Sequence, residues 1–210
     1  SNHSLSHDLN EFLSKYGSNI LTVDLVGKEA DVSLVAKLLL IQRFHRYTTL
    51  IRMSKSIDVH SEIRFLEDIN IEEAKINDLG VVNSLLHEYF DIYSEQLPHV
   101  EELIYLIHNG NVLLLREGRM ISGFLIFENP GHTAFLRYWF VDPAHREKHI
   151  GSKLINAFFY RTKSASRHIF WVDISNLNAI KRYVHYGFNQ ENMIDLVLIN
   201  KKIDYEKQNY

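Results

Sequence analysis

The sequence predicts an α/β protein with a mixed sheet, α+β in that it combines parallel and antiparallel strands, preceded by a small strand-helix-strand half-unit. Three observations carry this reading. Runs of β-branched and aromatic residues alternate with runs whose apolar residues recur at helical spacing. A β-hairpin followed at once by a third strand stands mid-chain, which makes antiparallel neighbours. Directly after that third strand, Ile150, Leu154, Ile155, Phe158 and Phe159 fall at the i, i+4, i+5, i+8, i+9 spacing of one buried helix face.

The elements follow in order. Leu5 to Tyr16 reads as a helix, Asn19 to Val26 (NILTVDLV) as a strand, Val32 to Phe44 as a helix and Tyr47 to Met53 as a strand. The polar run Ser54 to Glu62 reads as a linker, and Ile69 to Ala74 as a short strand. A helix is predicted from Asp78 to Tyr93 and another from after Pro98 to Ile107, stopped by HNGN at His108 to Asn111. NVLLLRE, the turn EGR and MISGFLIFE form the hairpin, and PGH leads into Thr133 to Val141. The helix from Ile150, a strand HIFWVDI, a helix Leu177 to Tyr186 and a last strand MIDLVLIN complete the chain.

A chain of 210 residues, 46% hydrophobic and 12% aromatic, can bury one full core and a small second one. Having no cysteine, it excludes disulfides, thiolate metal sites and a cysteine nucleophile. No apolar run reaches the roughly 18 to 20 residues that span a bilayer, and SNHSLSHDLNEF lacks a signal-peptide pattern, so a cytoplasmic location is the expectation. Net charge is −3 but unevenly spread. Pro130 to Arg182 carries nine Lys or Arg against three acids, whereas Ile76 to Leu115 carries six acids and no Lys or Arg. The first stretch suits an anion and the second a cation, unless both are simply solvated faces.

In VDPAHREKHIGSKL, from Val141, a strand ends at Pro143, a charged loop follows and Gly151 opens a helix. Such a loop is an anion cradle: amides point inward at a helix N-terminus, whose dipole supplies about half a positive charge, and Arg146 and Lys148 add whole ones. Gly151 leaves room for close backbone approach and Ser152 offers a hydroxyl. The loop is neither a dinucleotide fingerprint nor a nucleoside-triphosphate loop, since it lacks their glycine spacing.

A second motif, N-x-x-A-x-x-x-Y-x-x-x-G-F, stands at Asn176, Ala179, Tyr183, Gly187 and Phe188, directly after IFWVDI. Together with V-x-P-x-x-R-x-x-x-x-G it resembles the GNAT superfamily of acyl-CoA-dependent N-acyltransferases, over Ile69 to Lys202. The resemblance implies a GNAT-like domain over residues 61–210. A weak internal repeat, TVDLV to LIRM against WVDIS to LVLIN, makes residues 1–60 a degenerate half of a second such unit. Arg43 takes the place of the motif glycine there, and that half is not expected to bind CoA.

The resemblance also implies roles. Arg146, Glu147, Lys148, His149, Ile150 and Gly151 match the loop whose amides hold the CoA pyrophosphate, with His149 where the family has its first glycine. The backbone of Phe140 and Val141 would pair with the pantetheine arm, Ser152 and Asn176 would contact the cosubstrate, and Tyr183 would protonate the departing thiolate. Glu128 and Asp173 are the carboxylates available as general base, with a water chain as the alternative. The implied reaction is direct attack of a primary amine on the thioester of acetyl-CoA or a short homologue in a ternary complex, without metal. The alternative is a non-catalytic acyl-CoA-binding sensor or scaffold. His145, Glu147 and His149 form H-x-E-x-H, not a zinc helix motif, and lie in a turn. Neither nucleic acid nor membrane is an expected partner. Glu88, Asp91 and Glu95 on one helix face would suit a cationic amine such as a polyamine, and a homodimer is allowed.

Overall fold

Strands form here where β-branched and aromatic residues crowd, and helices where apolar residues recur every three to four positions. The computed structural model describes residues 8, 11–57, 71–201 and 203. They form β1 (Thr22–Gly27), α1 (Glu29–Ile41), β2 (His45–Ser56), β3 (Ile71–Glu73), α2 (Leu79–Tyr89), α3 (Val100–His108), β4 (Val112–Glu117), β5 (Met120–Glu128), β6 (Thr133–Val141), α4 (Ile150–Arg161), β7 (Arg167–Asp173), α5 (Leu177–His185) and β8 (Asn189–Ile199). Two 3-10 turns, Ile76–Asp78 and Pro143–Lys148, precede α2 and α4. Residues 11–16 are helical as well. The fold class is mixed α/β, as the sequence predicts.

The chain divides into two compact units, one of Ser1–Arg52, Trp171–Tyr186 and Gln190–Tyr210, the other of Met53–Phe170 and Gly187–Asn189. The expected domain boundary between residues 60 and 61 lies outside the described residues, as do the start of the expected N-terminal helix, most of the expected linker and residues 69 and 70 of the expected short strand.

In the larger unit the strands run in the order β7-β6-β5-β4-β3. Neighbours are antiparallel except β6 and β7, which are parallel over Thr133↔Arg167 to Phe135↔Ile169. Val82 and Leu86 of α2 and Leu103, Leu106 and Ile107 of α3 cover one face, sharing a buried cluster with Leu114, Phe124, Ile126, Tyr138 and Phe140. α4 covers the opposite face. All five apolar residues of its predicted stripe are buried, Ile150, Leu154, Ile155, Phe158 and Phe159. The helix crosses β5 at Gly123, where an added Cβ would lie 2.7 Å from an Ile150 methyl, 2.9 Å from the Phe140 carbonyl oxygen and 3.0 Å from Leu154.

In the smaller unit the order is β1-β8-β2. β1 is antiparallel to β8 from Thr22↔Ile199 to Gly27↔Ile194. Val32, Ala36 and Leu39 of α1 pack with Phe44, Leu196 and Leu198. The repeat seen in the sequence has a conformational counterpart. After α1, Arg43 is left-handed at φ 68° and is followed by buried Phe44; after α5, Gly187 is left-handed at φ 84° and is followed by buried Phe188. A left-handed residue terminates each helix and turns the chain into its next strand.

Several boundaries differ from those the sequence predicts. α1 starts at Glu29 and β2 extends to Ser56, into the expected linker. α2 ends at Tyr89 rather than Tyr93, because Phe90 turns extended (φ −120°, ψ 143°) and the Asp91 carboxylate accepts from the amides of Tyr93 and Ser94. A side chain that satisfies those amides competes directly with continued helix. Glu88, Asp91 and Glu95 therefore do not share a helix face, contrary to expectation.

Gly123→Ala is expected to destabilise the protein by about 1 to 3 kcal/mol through overpacking between β5 and α4. Chemical denaturation measures this, and an unchanged midpoint would mean that α4 can shift without cost.

Candidate functional site

The loop after β6 is built by Asp142. Its carboxylate accepts from the Ala144 amide at 2.8 Å and caps the 3-10 turn, with Pro143 at the turn's first position. The turn ends on His149, whose backbone is left-handed (φ 57°, ψ 20°), and α4 starts immediately without a side-chain cap. No N-cap side chain accepts from the first amides of α4, which stand at the positive end of the helix dipole. A helix start of this kind favours an anion nearby.

The geometry explains the glycine that His149 replaces. A left-handed residue is needed to pass from a 3-10 turn into α4, glycine adopts that conformation freely, and histidine is among the residues that tolerate it. The His149 side chain is exposed. Gly151 also has a packing role: a Cβ there would sit 3.2 Å from the Trp139 ring and 3.4 Å from a Val141 methyl. The room it provides lets α4 lie close on β6. Ile150 is buried, and Ser152 is half-buried on the first turn.

Lys148 does not offer an unopposed charge. It pairs with Glu117 at the hairpin end of β4, and its hydrogen bond holds the Glu117 carboxyl below the usual range. His145 joins the group, with Nε2 3.3 Å from Glu117 and Nδ1 3.7 Å from Asp142. The side chains of Arg146 and Glu147 fall outside the described residues.

Phe140 and Val141 end β6. The ladder with β7 stops at Phe135↔Ile169, and β6 continues from Leu136 to Val141 beyond it. The two faces of this extension differ. Trp139 and Val141 meet Gly151 of α4, whereas Phe140 turns toward α2, its ring 4.6 Å from that of Tyr89.

Both candidate carboxylate bases are held by donors. Glu128 pairs with Arg137, which also reaches Glu102 at 3.2 Å. Burial opposes the Arg137 charge, but the Glu128 hydrogen bond and neighbouring groups raise its basicity further. In the smaller unit, Asp173 accepts from the Thr48 hydroxyl and from the Ser175 amide and hydroxyl at 2.7 and 2.5 Å. Burial pushes the Asp173 carboxyl up, and the Ser175 and Thr48 bonds outweigh that and hold it below its ordinary value. Asn176 caps α5, accepting from the Ala179 amide at 3.1 Å. Tyr183 is half-buried on a helix with no fully buried residue, where Val184 is 56% exposed. That environment does not fit a simple core aromatic. Glu117 and Arg137 were not singled out by the sequence, because both pair with partners distant along the chain.

Residues 80–188 match the model of the Acetyltransferase (GNAT) family, and the chain belongs to that family. Solved structures share its fold. A GCN5-related N-acetyltransferase from Sphaerobacter thermophilus superposes with a TM-score of 0.64 at 16% identity, over 90% of this chain and 63% of its own. A tandem GNAT protein from the clavulanic acid biosynthesis pathway gives 0.57 at 14% identity, over 88% and 65%. Ard1 from Thermoplasma volcanium gives 0.51 at 17% identity, over 64% and 97%. The chain thus spans less than two thirds of the length of the first two. No curated protein matches in sequence. Among the described residues no helix is long and apolar enough to cross a membrane, and no three His, Asp or Glu gather as a metal site.

Two buried titratable groups oppose each other in pH. Burial pushes His168 down to about 4, only partly offset by the Thr162 backbone. Its contribution is complete above the unfolded value near 6.5 and is lost as pH falls toward 4. Burial, then the charge of Asp24, pushes Asp195 up to about 6. Folding favours its protonated form, so its contribution is complete below about 3.8 and is lost as pH rises through 6. Asp195→Asn is therefore expected to stabilise the protein at pH 7 by on the order of 2 kcal/mol and to give no gain at pH 4. Denaturation at the two pH values measures the difference, and an equal effect at both would assign the change to packing.

Proposed function

We propose that the protein transfers an acetyl or other short acyl group from acyl-CoA to a primary amine within a ternary complex. The single observation carrying this reading is the pairing of an uncapped α4 N-terminus with a β6 that outruns its parallel partner. An uncapped helix start suits a pyrophosphate, and a strand that runs on past its parallel partner suits the amides of a pantetheine arm.

In this reading the amides of residues 146–151, with Ser152, hold the pyrophosphate. Phe140 and Val141 orient the thioester through their backbone, and Asn176 contacts the cosubstrate. The neutral amine attacks the carbonyl carbon, so a C–N bond forms and the C–S bond breaks. Tyr183 gives its hydroxyl proton to the departing thiolate. The amine proton goes to Asp173, Glu128 or a water chain. Water is favoured, because both carboxylates already accept from donors and Asp173 is held below its ordinary value by the Ser175 and Thr48 bonds. Residues 1–60, in this reading, are a degenerate half-unit that does not bind CoA.

Acetyl-CoA at about 100 times its dissociation constant is expected to stabilise the fold by roughly 2.7 kcal/mol. A thermal-shift titration reads this; no shift with any short acyl-CoA would remove the donor. Tyr183→Phe is expected to lower kcat by roughly 100-fold while leaving acyl-CoA affinity almost unchanged. A variant with full kcat would transfer the acid role to water. Acyl-CoA binding without turnover of any amine would support a sensor or scaffold instead.

A further inference from the structure

Strand β2, which falls within residues 1–60, carries Thr48 and Thr49. Both lie in the same compact unit as residues 171–186, which hold Asp173, Asn176 and Tyr183. The Thr48 hydroxyl donates to Oδ2 of Asp173. Beside that bond, the Ile174 amide donates to the Thr49 carbonyl at 3.0 Å. Two successive residues of β2 thus grip the two residues at which β7 ends.

Asp173 passes this hold on to the turn that starts α5. Its other oxygen, Oδ1, accepts from the Ser175 amide at 2.7 Å and from the Ser175 hydroxyl at 2.5 Å, which bends the chain after the strand. Its carbonyl accepts from the Asn176 amide at 2.9 Å, and Asn176 in turn caps α5 through the Ala179 amide. One carboxylate therefore ties β2 to the first turn of the helix. The tie matters because α5 has no fully buried residue, and Ala179, Ile180 and Tyr183 are only half-buried. A helix with so little of its surface packed has to be fixed from its start. Tyr183 lies about two turns beyond that start.

We propose that Thr48 is a positioning residue for acyl transfer: acting through Asp173, it fixes the turn from which α5 carries Tyr183. The degenerate half-unit then serves the reaction as a support, with no cosubstrate of its own to bind. This inference rests on the acyl-transfer reading, and it gives Asp173 the task of holding the turn in place of taking the amine proton.

The test uses the full chain, with acetyl-CoA as donor and a panel of primary amines that includes butylamine, spermidine and glycinamide. Thr48→Val keeps the β-branched shape and removes the donor. Its kcat is expected to fall by about tenfold, with the KM for acetyl-CoA within about twofold of the wild type because α4 and its cradle lie outside this unit. Thr48→Ser retains a hydroxyl and should restore most of the lost kcat. Val32→Ala, in the apolar core around α1, lowers stability without touching Asp173 and should leave kcat unchanged below its melting temperature. Thermal melting checks that each variant folds, and Thr48→Ala takes the place of Thr48→Val should that variant not fold. Full kcat without the hydroxyl, a loss that Thr48→Ser does not restore, or an equal loss in Val32→Ala would overturn the positioning role and leave acyl transfer standing. No turnover of any amine by the wild type would instead remove the acyl-transfer reading, and this role with it.

Discussion

Two absent methyl groups fix where α4 lies, and the position of α4 fixes the cradle. Gly123 admits Ile150 and Leu154 from one side, and Gly151 admits Trp139 and Val141 from the other. Packed interiors have no spare volume of that size, so a methyl at either place has to displace the helix or the strand beneath it. The direction in which the first amides of α4 point is thus set by side-chain volumes several residues away. The uncapped start of the helix is useful only because those contacts hold it in place.

Charge around the cradle is balanced within the protein. Lys148 and His145 gather on Glu117, and Asp142 spends one oxygen on the turn. Any anion brought to the loop would compete with a carboxylate for Lys148. Because Lys148 is more than half exposed, its pair with Glu117 is worth little and exchanges easily. The amides and the dipole, fixed in direction, remain the dependable part of the site.

Much of this was legible in the sequence, for local reasons. Strand β6 runs from Thr133 to Val141 as the sequence predicts, and the apolar stripe from Ile150 is buried throughout. The cradle could be read because proline, charge and glycine mark a strand-to-helix passage within a few residues. What escaped is either non-local or a competition between two local signals. The pairs Glu117–Lys148 and Glu128–Arg137 join residues whose proximity depends on the sheet register. The early end of α2 is set by Asp91 capping Tyr93 and Ser94, against an apolar periodicity that continues past it. The left-handed backbone of His149 could not be read from its side chain, which tolerates that conformation without demanding it. The packing role of Gly151 escaped for a related reason: a glycine announces a missing methyl, but only the fold tells which neighbour fills the space.

The antiparallel pairing of β1 with β8 has a consequence for synthesis. Leu25 pairs with Leu196, so the smaller unit joins segments from far apart in the sequence, whereas the larger one is almost continuous from Met53 to Phe170. On a ribosome the larger unit can condense once Phe170 has emerged, but β1 and the apolar face of α1 have to wait for β8. Contacts of such sequence separation form slowly, and the waiting segment exposes Val32, Ala36 and Leu39 in the meantime. β1 and α1, made well before β8, are thus among the last parts to be sheltered, and that interval is when a nascent chain is open to chaperones and to aggregation.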